Sequence, residues 1–378
     1  MAVNLVPATT EESLIAAKGN APKFFKEVSD LTFRKRLWLG MIQKYGRVEY
    51  NASSFACVWN VEKSQPDVQQ APDGGDLDFQ EHDAEEQLTL DVRGYRATDM
   101  LTEKKMEMNK GATQITNYYR AKSARLAKSV QQKLYGELYV DGYTAANADR
   151  FHGIESFTGD DAATVAADKI ARPADTYGGK STAPGAEGTW SSDLSTSPNA
   201  VVATDWPYGT GSAEYDYLSP LLVNTSSTAW PSASAAWVDN AEDVLRFARI
   251  TQSSRGAMDA NEGIPFMHML ATDLYEQFLS YYSAKLRMYV PHAEATNLGF
   301  GNTMNFEGDM VHYESDTPVG TGYGIAPSQM DMFCLFSQLI KANGPDWSKS
   351  KASYLYYART YGNLRFQPKF FTKYKAYA

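Results

Sequence analysis

Apolar positions recur at helical spacing most clearly between Met108 and Gly142. Ile115, Tyr119, Ser123, Leu126, Val130, Leu134 and Leu138 follow one another at steps of three or four, the stripe of an amphipathic helix. No proline interrupts the run. The pattern predicts a helix over 110–140, roughly 46 Å long at about 1.5 Å per residue, against a mean of about 11–12 residues for globular helices. Asp141 and Gly142 are its expected stop, glycine being suited to the left-handed position after a helix. Phe24, Val28, Leu31, Trp38, Ile42 and Tyr45 predict a shorter helix or two between Lys23 and Tyr45. Residues 48–61 turn β-branched and aromatic, and 87–96 alternate apolar with polar. Two strands are therefore expected around a long tip, an extended two-stranded loop ahead of the long helix.

Beyond the helix the pattern is mixed. Asp239 followed by Glu242 predicts a capping-box start to a helix from Trp237, with Ala241, Val244, Leu245 and Ala248 inward and Gly256 closing it. Ile264–Leu270 reads as a buried strand, and 273–285 as a second helix with Leu274, Phe278, Leu279 and Tyr282 inward. Asn305–Val311 reads as a turn into a strand, 331–340 as another strand, and the end of the chain alternates as a strand. Helices and strands in mixed order predict an α+β fold.

Charge divides this pattern sharply. Lys110, Arg120, Lys122, Arg125, Lys128 and Lys133 occur with no acid between Asn109 and Gly136, in a chain of net charge −9. From Ser64 to Val92 stand Asp67, Asp73, Asp76, Asp78, Glu81, Asp83, Glu85, Glu86 and Asp91, with no Lys or Arg. The acids around Gly74-Gly75 do not follow the ligand order of a calcium loop with its central glycine and terminal Glu. The tail from Lys341 carries eight Lys or Arg against one acid, Asp346.

At 378 residues the chain has room for one large domain or two to three ordinary ones. Residues 159–235 are dominated by Gly, Ala, Ser, Thr and Pro, with Trp190, Trp206 and Trp230 among them; tryptophans favour an insertion of short strands and loops over a linker. Aromatic residues reach 13%, which suits contact surfaces as well as cores. Cys57 and Cys334 lie in apolar surroundings and are expected as buried free thiols. With no fully apolar 18-residue run and no signal-like segment, and with Met1-Ala-Val-Asn read as a native start, the chain is expected to be soluble and to stay in the cell that makes it.

Catalytic signatures are missing. Gly179-Lys180-Ser181 lacks the first glycine of a phosphate loop, Ala174 standing in its place. Gly153-Ile154-Glu155-Ser156 has the wrong spacing for a serine-nucleophile elbow. His82, His152, His268, His292 and His312 form no helical zinc pair, and His268 within IPFMHML is expected as a core histidine. Asn224-Thr225-Ser226 matches a glycosylation acceptor but has no secretory context. No cofactor is implied, and the residues suggest a chain that makes surfaces.

The order of parts resembles one family, the major capsid proteins of tailed bacteriophages, with the Hong Kong 97-type fold that encapsulins share. The phrases that carry the likeness are Phe151-His152-Gly153-Ile154-Glu155-Ser156 after the long helix, Trp237-Val238-Asp239-Asn240-Ala241 opening the next, Phe306-Glu307-Gly308-Asp309 before a strand, and Gly362-Asn363-Leu364-Arg365-Phe366 near the end. The resemblance implies an N-terminal arm over 1–47, an extended acidic loop over 48–107 and a peripheral domain with its spine helix over 108–150. It also implies an axial domain over 151–295 including the insertion 159–235, and return strands of both domains over 296–378.

The implied function is structural and non-enzymatic: self-assembly into an icosahedral shell around double-stranded DNA, in the virion capsid, after synthesis in the host cytoplasm. Implied partners are copies of the chain in hexamers and pentamers, and packaged DNA met non-specifically on the inner face. There is room for a separate scaffolding protein, a portal and minor capsid or decoration proteins, and no membrane is involved. The alternatives are an encapsulin-like nanocompartment shell and, from another class, a soluble α+β hydrolase or glycan-binding protein using the aromatic islands of 190–230. Complementary charge nominates assembly contacts: Asp73, Asp76, Asp78, Glu81, Asp83, Glu85 and Glu86 of one copy over Arg120, Lys122, Arg125, Lys128 and Lys133 of the next. DNA is the competing use of the basic helix face.

Overall fold

The computed structural model describes residues 37–62, 85–104, 112–160, 169–183, 217–286 and 303–377, with backbone alone over 112–121 and 282–286. Helix α1, Leu37–Lys44, opens the described part and buries Leu37, Trp38, Leu39, Met41 and Ile42. The first part of the helical pattern expected from Lys23 lies outside the described residues. Strand β1 (Val48–Glu49) precedes β2 (Ala56–Glu62) and β3 (Glu85–Asp91), an antiparallel pair running from Ala56↔Asp91 to Glu62↔Glu85. That pair is the expected two-stranded loop, and its acidic tip lies outside the described residues. Strand β4, Arg93–Thr102, follows one residue later.

The long helix is present as α2, Ala112–Gly136, 25 residues. The chain then tightens into a 3-10 turn over Glu137–Tyr139, as helix ends commonly do. Ser123, Leu126, Val130, Leu134 and Leu138 are all buried, so the apolar stripe meets a core as expected. Its stop differs from the sequence-based one. Gly142 does not take a left-handed conformation. A Cβ there would come 2.5 Å from the His152 ring, so close approach of two chain segments accounts for the glycine.

Short strands β5 (Ile170–Ala171), β6 (Thr176–Tyr177), β7 (Lys180–Ser181) and β8 (Leu221–Asn224) come next. Helices α3 (Trp237–Ser254) and α4 (Ala257–Ala260) lead to β9 (Met267–Leu270) and α5 (Thr272–Leu286). Strands β10 (Met304–Phe306), β11 (Asp309–Tyr313), β12 (Gly322–Ile325), β13 (Met330–Cys334), β14 (Lys341–Ser348), β15 (Ser353–Phe366) and β16 (Thr372–Lys375) complete the chain.

Two expectations shift in detail. Helix α3 begins where expected but after Ala236, without a side-chain cap. Asp239 lies inside the first turn, and Glu242 pairs with Arg246 at 2.7 Å instead of reaching back. The strand expected over 331–340 ends at Cys334; Leu339 and Ile340 are buried without extending it, an ambiguity inherent in short apolar runs.

Two sheets organise the described residues. One has five strands in the order β1-β13-β15-β14, with β4 along the other side of β15. Helix α2 lies across β4 and β15. The other runs β10-β11-β9-β12-β16-β8-β5, with α3 and α5 packed on it through Val244, Leu245, Ala248, Leu274 and Phe278. The Gly- and Ser-rich stretch thus supplies two strands, β5 and β8, to this sheet, with Leu221, Leu222 and Val223 fully buried. One core spans both sheets, from Leu126, Val130 and Leu134 through Phe157 and Tyr177 to Met267, Tyr323 and Ile325.

Candidate assembly surface

Helix α2 turns its described apolar stripe to the sheet, and two of the cations it carries are spent inside the chain. The Lys122 ammonium donates to Asp99 Oδ1 at 2.8 Å and to the Met100 carbonyl at 2.8 Å. Burial would raise the Asp99 carboxyl; the hydrogen bonds from Lys122 and the Met100 N–H, with the charges of Lys122 and Arg125, outweigh it and hold the group below its ordinary value. Lys133 reaches Glu137 Oε1 at 3.4 Å, and Glu137 is fully buried, also held by Arg150 at 3.0 Å. Arg125 and Lys128 stay exposed. Arg120 lies in the helix where only backbone is described.

Of the acidic candidates, Asp73, Asp76, Asp78, Glu81 and Asp83 lie outside the described residues. Glu85 and Glu86 open β3. Asn60 donates to Glu85 Oε2 at 2.8 Å, and Glu86 pairs with Lys180 at 2.8 Å. At the hairpin base Phe55 is 104% exposed, an apolar ring with no intrachain cover among the described residues.

The phrase from Phe151 to Ser156 is an internal joint. The Phe151 N–H donates to the Tyr95 hydroxyl at 3.1 Å and the His152 N–H to Asn363 Oδ1 at 2.9 Å, both on the five-stranded sheet. Glu155 reaches the other sheet, accepting from Lys373 Nζ at 2.6 Å and from the Tyr323 hydroxyl. Burial first, then the Glu155 charge, push the Tyr323 hydroxyl well above its ordinary range, so it stays a donor. His268 is the expected core histidine, fully buried with Nδ1 2.8 Å from the Tyr374 hydroxyl. Cys57 and Cys334 are buried and free, as expected.

The face of the five-stranded sheet away from α2 carries residues that sequence reasoning missed. Arg96 stands opposite Arg359 across the β4–β15 pair, and Arg359 opposite Lys341 across β15–β14. The basic tail was the one available signal; its register against β4 is visible only in the folded chain.

No family model matches the sequence, and no curated protein does. Among solved structures, the chain is similar to one from the cyanophage A-1(L) capsid asymmetric unit, 12% identical, covering 88% of this chain and 90% of that one at a TM-score of 0.50. It is also similar to the capsid of a native GTA particle, 11% identical, 89% of each chain covered, TM-score 0.49. A virus-like particle from Pyrococcus furiosus matches at 9% identity over 96% of this chain and 99% of that one, TM-score 0.38. The cyanophage likeness shows a shared fold, and the mixed α+β capsid fold expected from the resemblance is the fold found.

Proposed function

We propose that the chain is the major capsid protein of a tailed bacteriophage, a structural protein that assembles into an icosahedral shell around double-stranded DNA. The observation that carries this is the fold shared with a capsid chain over 88% of the length. Fold alone does not assign function, but the surface agrees. Phe55 at 104%, Val319 at 86% and Ile250 at 59% exposure are large apolar side chains of the kind that lattice contacts bury.

In this reading α2 with the five-stranded sheet makes the peripheral domain, and the seven-stranded sheet with α3 and α5 the axial one. The projecting β2–β3 hairpin is the loop that reaches a neighbouring copy. Hexamers and pentamers of the chain form the shell, found in the virion after synthesis in the host cytoplasm. Arg125 and Lys128, left outward on α2, make the non-specific contact with packaged DNA. Size-exclusion chromatography and electron microscopy of the expressed chain test the proposal. Closed shells are expected; a stable 41.9 kDa monomer under all assembly conditions overturns it. Particles from infected cells should hold nuclease-protected DNA, whereas an enclosed enzyme in place of DNA would make the shell a nanocompartment.

A further inference from the structure

A pocket lies where the hairpin, the five-stranded sheet and the turn before β9 meet. Its volume is about 280 Å³, and Arg47, Trp59, Glu262, Asp331, Arg365 and Gln367 are among the residues that line it. They come from the residue before β1, from β2, from the turn after α4, from β13, and from the end of β15 and just beyond. The space is at the small end of ligand pockets, about 300–1,000 Å³, yet far larger than the roughly 30 Å³ that one water takes. A molecule of one ring suits it.

The charges on these walls cancel, two cations against two acids. Arg47 reaches Glu262 at 2.9 Å and Asp331 at 4.0 Å. Arg365 reaches Asp331 at 3.5 Å and, outside the lining, Glu49 at 3.0 Å. An anion entering here meets the two carboxylates and a cation meets the two guanidiniums, so neither gains on balance.

What the lining leaves unmet is hydrogen bonding, in both senses. Asp331 accepts no hydrogen bond among the described residues, its two guanidinium neighbours standing 3.5 and 4.0 Å away. Burial raises its carboxyl against the lowering charges of Arg365 and Arg47, and a hydroxyl donating to the carboxylate would offset that burial. The Gln367 side-chain amide, both donor and acceptor, has no partner among the described residues. Trp59 Nε1 and Arg365 Nε, both donors, are buried without one. A ligand that answers this lining is uncharged, donates and accepts through several groups, and carries an apolar face for the half-buried Trp59 ring. A pyranose sugar has these properties: each hydroxyl donates once and accepts twice, and the C–H face of the ring suits an aromatic side chain.

We propose that this pocket binds a neutral sugar ring. The function lies beyond the shell reading and the site is complete within one chain, so it stands whether or not copies assemble.

The test titrates the full chain with D-glucose, D-galactose, D-mannose and N-acetyl-D-glucosamine and with their methyl glycosides, read by saturation-transfer NMR and calorimetry. At least one should bind with a dissociation constant of about 1–10 mM, the range open to a ligand of that size. Gln367→Ala and Trp59→Phe should each weaken binding about three- to tenfold. Neither change removes a hydrogen bond that the side chain makes within the described residues, so thermal melting should stay close to the parent's. A bound methyl glycoside identifies the terminal residue of a glycan as the occupant, and binding of the free reducing sugar alone identifies a free sugar; either supports the proposal. No binding across the panel overturns it. Binding that is unchanged in both variants puts the sugar elsewhere and overturns it as well. Succinate or putrescine bound more tightly than every sugar would assign the pocket to a charged ligand and defeat the neutral one. Shell formation is read separately, and its failure would remove the capsid reading without touching this site.

Discussion

Acid should loosen this chain through one histidine at the joint between its sheets. His152 is 1% exposed. Burial first, then the neighbouring Arg93 charge, push its ring from 6.5 down to about 3, against a smaller opposite pull from Asp141. Arg93 cannot swing away: its Nη1 donates to the carbonyls of Gly142 at 2.9 Å, Asn147 at 3.4 Å and Arg150 at 2.5 Å. The folded state therefore keeps the ring neutral across the window from about 6.5 to about 3, while the unfolded chain takes up the proton. The unfolded state binds more protons there, so stability falls as pH falls, by about 2 kcal/mol between about pH 7.5 and pH 5. Urea unfolding of the unassembled chain at those two pH values, beside His152→Asn, isolates the contribution. The variant should be weaker at both, yet lose about 2 kcal/mol less on acidification. Asp175 and Asp331, whose carboxyls burial raises, gain relative stability as pH falls, but do so in both proteins and cancel. Equal losses in parent and variant would refute the reasoning.

Three further outcomes follow from the same packing. Gly153→Ala would place a Cβ 2.4 Å from the carbonyl oxygens of both Glu137 and Leu138; a loss of about 3 kcal/mol or of soluble protein is expected, read by thermal melting and yield. Lys373→Met removes the cation now bonded to the Glu155 carboxylate at 2.6 Å, leaving the Tyr323 hydroxyl as its donor, and should cost about 3 kcal/mol, part of which Glu155→Gln in the same chain restores; a double variant no better than the single would disprove the pairing. The Cys57 thiol, pushed up to about 12 chiefly by burial, should resist thiol reagents at neutral pH in the folded chain and react once denaturant is added, a difference that mass spectrometry reads directly.

Features set by spacing within one segment were legible in the sequence. The stripe from Ser123 to Leu138 needs only steps of three and four to face one way, and those residues are buried. The β-branched and aromatic run of 48–61 and the alternation of 87–96 likewise predicted two strands around a tip, and a hairpin pairs there over seven residues on each strand. What escaped depends on segments meeting. Gly142 looked like a helix stop because nothing local shows His152 arriving beside it. Lys122 looked like free surface charge because Asp99 reaches it only once β4 lies under α2. Leu221–Asn224 lay in a Gly- and Ser-rich stretch, and only pairing with β16 reveals it as a buried strand. Asp73 through Asp83 remain known by sequence alone.

Where the chain satisfies its polar groups, and where it does not, is itself informative. Inside the joint, Glu137 is matched with Arg150 and Lys133 and Glu155 with Lys373, while Arg93 donates to three carbonyls. Breaking such buried pairs costs several kcal/mol, so the two sheets and α2 are held as one body. On the sheet face opposite α2 the same chain places three cations side by side from residues as distant in sequence as Arg96 and Arg359, giving up roughly 0.2–1 kcal/mol for each opposed pair. A monomer gains nothing from that arrangement, since any neutral or acidic residue at one of the three positions would relieve it. An anion over the row would offset that cost. The described residues thus divide their polar groups unevenly, with partners supplied inside the joint and like charges left opposed on the outer sheet face.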